Sequence, residues 1–199
     1  MAVSLILAML LGAVGGYFFL DIGAKDTLDT VLMRALYFMI LVGGIEIGSN
    51  KDLVRKIFIP QNLFFALAVP VTIIIGSFAG GYLSSFFTGL SIYDSVLVTA
   101  GLGWYSLSSV VVSTMYSTEI GAISFLSNML RETVSFILIP LLARFNKLLC
   151  IAPGGAGTMD SLLPIMIKST DMQTGLFSFI NGVILSLIVP IILSVLLEG

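Results

Sequence analysis

Glu132 is the residue of this sequence best placed to do chemistry, because it lies in the middle of a long apolar segment. An ionisable side chain at membrane depth costs about 2.5–3.5 kcal/mol on insertion scales, so such groups persist mainly where they have a function. Ser124, Asn128 and Ser135 share a helical face with Glu132. This polar stripe predicts a site for a cationic group. The alternative is a purely structural ion pair with the adjacent Arg131.

Two other apolar segments are interrupted by glycines and polar side chains. Segment 94–116 contains Gly101 and Gly103 and four candidate cavity-lining residues: Trp104, Tyr105, Ser106 and Ser108. Segment 153–168 begins with the glycine-rich run PGGAGTMD. Irregular backbone at membrane depth is tolerated only where protein or a wet cavity satisfies it. Both segments are therefore predicted to be interrupted, re-entrant helical elements.

Thr158 and Asp160 end the glycine-rich run, and two interpretations of them are open. They could cap the short helix that follows, which is the commonest use of such residues before a helix. Alternatively, Asp160 could offer a carboxylate to a cationic group at the tip of the re-entrant element.

The elements that must position these residues belong to a membrane protein. The 199-residue chain is 58% hydrophobic and only 10% charged, and its mean hydropathy is +1.13. A soluble fold of this size could not hide so much apolar surface. We predict an all-α integral membrane protein, one polytopic helical bundle over residues 1–199. Its five full spans are placed at about 2–20, 30–48, 59–86, 119–145 and 174–197.

The composition also excludes several classes of function. The chain has no histidine and one cysteine, Cys150, so we expect no metal site, no cofactor and no enzyme activity. No basic run is present, so nucleic acid is not an expected partner. The lipid bilayer is the surrounding partner.

Lysine and arginine in the loops predict the orientation. Six of these residues fall on one side if both interrupted elements are re-entrant: Lys51, Arg55, Lys56, Arg144, Lys147 and Lys168. The N-terminus is then cytoplasmic and the C-terminus lies outside the cell membrane.

A buried acid beside two broken helices is typical of secondary transporters, where half-helix N-termini bind anionic groups and acidic side chains bind cations. The residues alone predict a carrier for a small solute or an ion. A cation-coupled carrier of an organic anion, with Arg131 as the binding residue, remains an alternative. A structural membrane assembly subunit is another, although it would leave Glu132 unexplained.

Three motifs occur in order: Gly103-Trp-Tyr-Ser-Leu-Ser108, Asn128-x-x-Arg131-Glu132 and Gly157-Thr-Met-Asp160-x-x-Leu-Pro164. Together they resemble the LysO-type lysine exporters of bacteria and archaea, and the likeness extends over essentially the whole chain. The resemblance implies export of L-lysine, and of a toxic lysine analogue, across the inner membrane by antiport with a cation such as a proton or sodium. It also implies that Glu132 is required for transport.

Typical members of that family are longer at the N-terminal side, whereas this sequence starts with its own Met1. The resemblance therefore implies a partner: either a small membrane subunit that supplies the N-terminal part or a second copy of this chain.

Overall fold

The computed structural model of the chain describes residues 59–198 without a gap. It also describes isolated earlier positions: Leu11, 14–16, Thr30, Val31, Arg34, Phe38, Leu41, Ile45, Lys51 and Arg55. The predicted spans 2–20 and 30–48 lie outside the continuous part, which contains the other three spans and both interrupted elements.

Residues 59–198 are all-helical, without a strand. In chain order the helices are α1 (Pro60–Thr88), α2 (Ile92–Thr99), α3 (Tyr105–Met115), α4 (Thr118–Leu142), α5 (Ile151–Gly154), α6 (Leu163–Ser169) and α7 (Met172–Glu198). A 3₁₀ turn, Gly155–Met159, joins α5 to α6.

Three helices of this described part, α1, α4 and α7, are long and apolar enough to cross a membrane. They contain 29, 25 and 27 residues, more than the roughly 20 that a bilayer requires. Local signals fix their ends. Pro60 starts α1 and Gly89 ends it in the left-handed conformation. The Ser117 side chain caps α4, with Glu119 in its first turn. The prediction of an all-α membrane protein is confirmed, and three of its predicted spans are present.

Helices α2 and α3 form the first hairpin, residues 92–116. They contain 8 and 11 residues, or about 12 and 16 Å of helix, so neither crosses a bilayer of about 30 Å. The two ends of the hairpin lie together. Tyr116 Oη donates a hydrogen bond to Asp94 Oδ1 at 2.7 Å, and the rings of Tyr93 and Tyr116 are 5.4 Å apart.

Residues 147–171 form the second hairpin, built from α5, the 3₁₀ turn and α6. Lys147 Nζ and Asp171 Oδ2 form an ion pair of 2.6 Å at its base. Further in, Cys150 Sγ lies 3.4 Å from Met166 Sδ. The chain thus enters and leaves this hairpin at one place, as it does in the first hairpin.

The two hairpins point towards each other from opposite ends of α4. The first opens next to Thr118, where α4 begins, and the second follows closely after Leu142, where α4 ends. Their tips meet midway, where the Ala156 backbone N–H donates a hydrogen bond to the Leu102 carbonyl oxygen at 2.8 Å. The chain turns sharply on both sides of this contact, because Leu102, Gly103 and Gly155 all have positive φ.

Candidate functional site

Two carboxylates, Glu132 and Asp160, lie beside one hydroxyl group at the tip of the second hairpin. Ser161 Oγ donates a hydrogen bond to Glu132 Oε1 and lies 3.3 Å from Asp160 Oδ1. The Ser161 backbone N–H donates to the same Asp160 oxygen at 2.6 Å. All three residues are half-buried. We call Glu132 and Asp160 the carboxylate pair.

Tyr105, the first residue of α3, brings the first hairpin to the same place. Its phenol lies close enough to Glu132 and Asp160 to feel the charge of both carboxylates. The first turn of α3 receives no side-chain cap, so its backbone N–H groups are available to an anionic group. Glu132 of α4, Asp160 of the second hairpin and Tyr105 of the first hairpin therefore lie in one region of the protein. That these residues bind a substrate stays a prediction.

Asp160 does not cap the helix that follows it. Helix α6 begins at Leu163, with Leu162 at the N-cap position and no side-chain hydrogen bond to the helix end. The capping interpretation of Asp160 is therefore wrong. Its carboxylate accepts its hydrogen bonds from Ser161 instead.

Asn128 holds the break of the first hairpin. Its Nδ2 donates to the carbonyl oxygens of Val98 and Ser124, both at 2.9 Å, and its Oδ1 accepts from the Gly103 N–H at 2.8 Å. Ser108 is fully buried beside it and accepts a hydrogen bond from Ser124 Oγ at 3.3 Å. The amide of Asn128 thus replaces hydrogen bonds that the interrupted helix cannot make with itself.

Arg131 holds the second hairpin, and it does so through neutral groups. Its Nε donates to the Pro153 carbonyl oxygen at 2.8 Å, and Nη2 donates to that of Ala152 at 3.1 Å. Nη1 donates to Ser77 Oγ of α1 at 3.0 Å. Within residues 59–198, Lys147–Asp171 is the only ion pair. A structural ion pair between Arg131 and Glu132, the alternative open from the sequence, is therefore absent.

Thr158 ties the 3₁₀ turn to α7. Its hydroxyl lies 2.7 Å from the Gly155 carbonyl oxygen and 2.9 Å from that of Ser178. Asn181 Nδ2 donates to Thr158 Oγ1 at 3.0 Å and to the Gly155 carbonyl oxygen at 3.1 Å. These groups are buried, so Thr158 faces α7, where it braces the tip of the second hairpin.

Trp104 and Ser106 are the remaining candidates from the sequence. Trp104 packs against the hydrophobic core, and Ser106 is exposed in the first turn of α3. Ser161 is the residue that the sequence analysis missed. The sequence feature that could have identified Ser161 is its position directly after Asp160, because a serine there can donate a hydrogen bond to the carboxylate. Among the described residues, no group of three or more His, Cys, Asp or Glu side chains could hold a metal ion.

Comparison with known proteins places this arrangement in a family. The family model described as "Lysine exporter LysO" matches residues 6–197. The Escherichia coli (strain K12) protein named "Lysine exporter LysO" is 28% identical over 159 residues. That match covers 80% of this chain but 52% of the relative, so the chain spans about half the length of that relative.

A second relative comes from Haemophilus influenzae (strain ATCC 51907 / DSM 11121 / KW20 / Rd) and carries the provisional name lysine exporter. It is 29% identical over 163 residues, which cover 82% of this chain and 80% of the relative. No solved structure matches the chain. The family match over nearly the full length, on an all-helical membrane protein, shows that the chain belongs to the lysine exporter LysO family.

Proposed function

We propose that this protein exports L-lysine from the cytoplasm by antiport with a proton. The main support for the proposal is the carboxylate pair, whose two half-buried side chains lie around Ser161 between two broken helices. Two acidic side chains within a membrane protein cost free energy, so they indicate a function. They suit a substrate that brings cationic groups, and lysine brings two.

In this mechanism both hairpins are re-entrant, and the substrate binds beside their tips. An ammonium group of lysine pairs with Glu132 and Asp160. Its α-carboxylate meets the uncapped N–H groups of α3, in the first turn around Ser106. The names of the two relatives support lysine as the substrate.

Release is coupled to a proton at the carboxylate pair. Two neighbouring carboxylates repel each other when both are ionised, so binding of a cation and binding of a proton compete for the same site. When Glu132 takes a proton, its ion pair with the substrate is lost and lysine leaves. Sodium would compete in the same way, which makes the driving ion an outcome of the test below.

The N-terminus is placed in the cytoplasm and the C-terminus outside the inner membrane, because this orientation keeps Arg144, Lys147 and Lys168 cytoplasmic. The proposed partner is a second copy of this chain or a separate small membrane subunit. The native mass of the complex extracted in lipid distinguishes the two.

The test uses everted membrane vesicles from a host that lacks its own lysine exporter. In such vesicles export appears as uptake, and an acidic lumen drives lysine/proton antiport. We expect labelled L-lysine to accumulate with the wild-type protein, whereas Glu132→Gln reduces accumulation to background at equal protein level. Glu119→Gln is the matched control, since Glu119 is an exposed acid on the same helix.

Three outcomes would contradict separate parts of the proposal. Accumulation by Glu132→Gln at the wild-type rate would remove the role of the carboxylate. Accumulation that follows a sodium gradient and ignores the proton gradient would change the coupling ion. If unlabelled organic anions compete with labelled lysine as strongly as unlabelled lysine does, the protein would be a carrier of organic anions in place of a lysine exporter.

A further inference from the structure

Two aromatic side chains pack together on the face of α4 that carries Glu132. Tyr105 packs edge-on against Phe125 of α4, with ring centroids 5.4 Å apart and an interplanar angle of 88°. The Phe125 side chain is 37% exposed, although it contacts another ring. The two rings therefore form an apolar surface on the face of α4 that also carries Glu132, and we call it the aromatic wall.

Phe125 and Glu132 share one face of α4. They are seven residues apart, which is two helical turns and about 10 Å along the helix axis. A substrate with its cationic end on Glu132 and its body along α4 would meet the aromatic wall next. Aliphatic stems of cationic chains gain from such contact, because the methylenes leave water while the charged end stays with its partners.

We propose that the aromatic wall of Tyr105 and Phe125 holds the aliphatic stem of the substrate, and that Phe125 sets the preferred length of a diamino acid. This inference rests on the proposed function. The carboxylate pair recognises an ammonium group on a chain of any length. The wall favours long stems over short ones, because each methylene in contact with the rings adds apolar burial.

The test measures binding, which does not require the complete transport cycle. The purified chain in lipid nanodiscs is incubated with labelled L-lysine, and unlabelled ornithine and 2,4-diaminobutyrate compete. These competitors are one and two methylenes shorter. We expect the wild-type protein to prefer lysine over diaminobutyrate, and Phe125→Ala to reduce that preference about tenfold. Phe125→Tyr keeps the ring and should retain the preference.

Phe87→Ala is the matched control, because Phe87 is 88% exposed and lies in the last turn of α1. The failures are distinguishable. A wild-type protein that does not bind lysine would overturn the proposed function, and this inference with it. Lysine binding with an unchanged preference in Phe125→Ala would overturn the inference alone. An equal loss of affinity for all three ligands in Phe125→Ala would also overturn the inference, since Phe125 would then support the fold and not select the substrate.

Discussion

The backbone N–H of Ala156 donates a hydrogen bond to the carbonyl oxygen of Leu102, and this 2.8 Å contact joins the tips of the two hairpins. Each partner belongs to a break in a helix, where the backbone has lost its own hydrogen-bond ladder. The contact therefore satisfies two groups that would otherwise be unpaired at the centre of the protein. It also closes the space between the hairpins.

The first prediction concerns Gly155, which allows this contact. Its φ is +56°, and a Cβ there would overlap the carbonyl oxygen of Leu102. A left-handed conformation costs a residue other than glycine roughly 1–3 kcal/mol, and the overlap would also push the tips apart. We expect Gly155→Ala to lower the melting temperature in detergent and to abolish lysine accumulation in vesicles.

Gly157→Ala is the control for that variant, because the nearest atom to its Cβ, Ser161 Oγ, would lie at 3.4 Å, an ordinary contact. We expect this variant to melt close to the wild-type temperature. A Gly155→Ala protein as stable as Gly157→Ala would show that the tips are not held together as described.

The second prediction separates structural support from substrate binding at Arg131. The planar guanidinium reaches Pro153, Ala152 and Ser77 at once, and a lysine ammonium cannot reproduce this fork. We expect Arg131→Lys to destabilise the protein by about 2 kcal/mol or more, measured by unfolding in detergent. Glu132→Gln should retain nearly wild-type stability while it loses transport. If Arg131→Lys keeps full stability and loses only lysine binding, Arg131 contacts the substrate directly.

The third prediction concerns the donor side of Asn128. An aspartate has the same shape but cannot donate to the carbonyl oxygens of Val98 and Ser124. Asn128→Asp should therefore cost about 1–3 kcal/mol or more, because it removes both of these hydrogen bonds and adds a buried charge. Thermal unfolding measures this cost. Stability equal to the wild type would mean that the first break is satisfied in another way.

The sequence locates the three spans within residues 59–198, because a long apolar run has one stable place in a bilayer. Segments 59–86 and 174–197 differ from α1 and α7 by at most two residues at each end. Glycine and serine clusters also locate both breaks. The break in the first hairpin falls at residues 100–104, inside the predicted segment 94–116.

The partners of the polar residues were harder to predict. The polar stripe of α4 is present, but its members serve different hairpins: Asn128 contacts the first and Glu132 contacts the second. Arg131, next to the stripe, also contacts the second hairpin. Helical periodicity gives the face on which a side chain lies and says nothing about the segment packed against it. Ser161 was missed for this reason, since its contact with Glu132 joins residues 29 positions apart.

The last prediction concerns acid stability at the base of the second hairpin. Burial alone would raise the pKa of Asp171, but hydrogen bonds from Lys147 and Thr174 outweigh it and hold the pKa below its ordinary value. Asp171 Oδ1 accepts from the Thr174 N–H at 2.8 Å, so this carboxylate caps the start of α7. Its contribution is present above the pH at which the unfolded carboxylate titrates, about 3.9. It is lost as the pH falls through the lower, folded-state pKa.

Two variants separate the cap from the ion pair. Asp171→Ala should cost about 1 kcal/mol at neutral pH, because α7 loses its cap. Lys147→Met should cost less, since the exposed ion pair with Asp171 is screened by water. Unfolding curves of both variants, recorded from pH 7 down to about pH 3, would check this order. The wild-type protein should be more stable than Asp171→Ala, and this difference in the free energy of unfolding should shrink only at the acidic end of the pH range. An advantage that shrinks instead as the pH rises would contradict the lowered pKa.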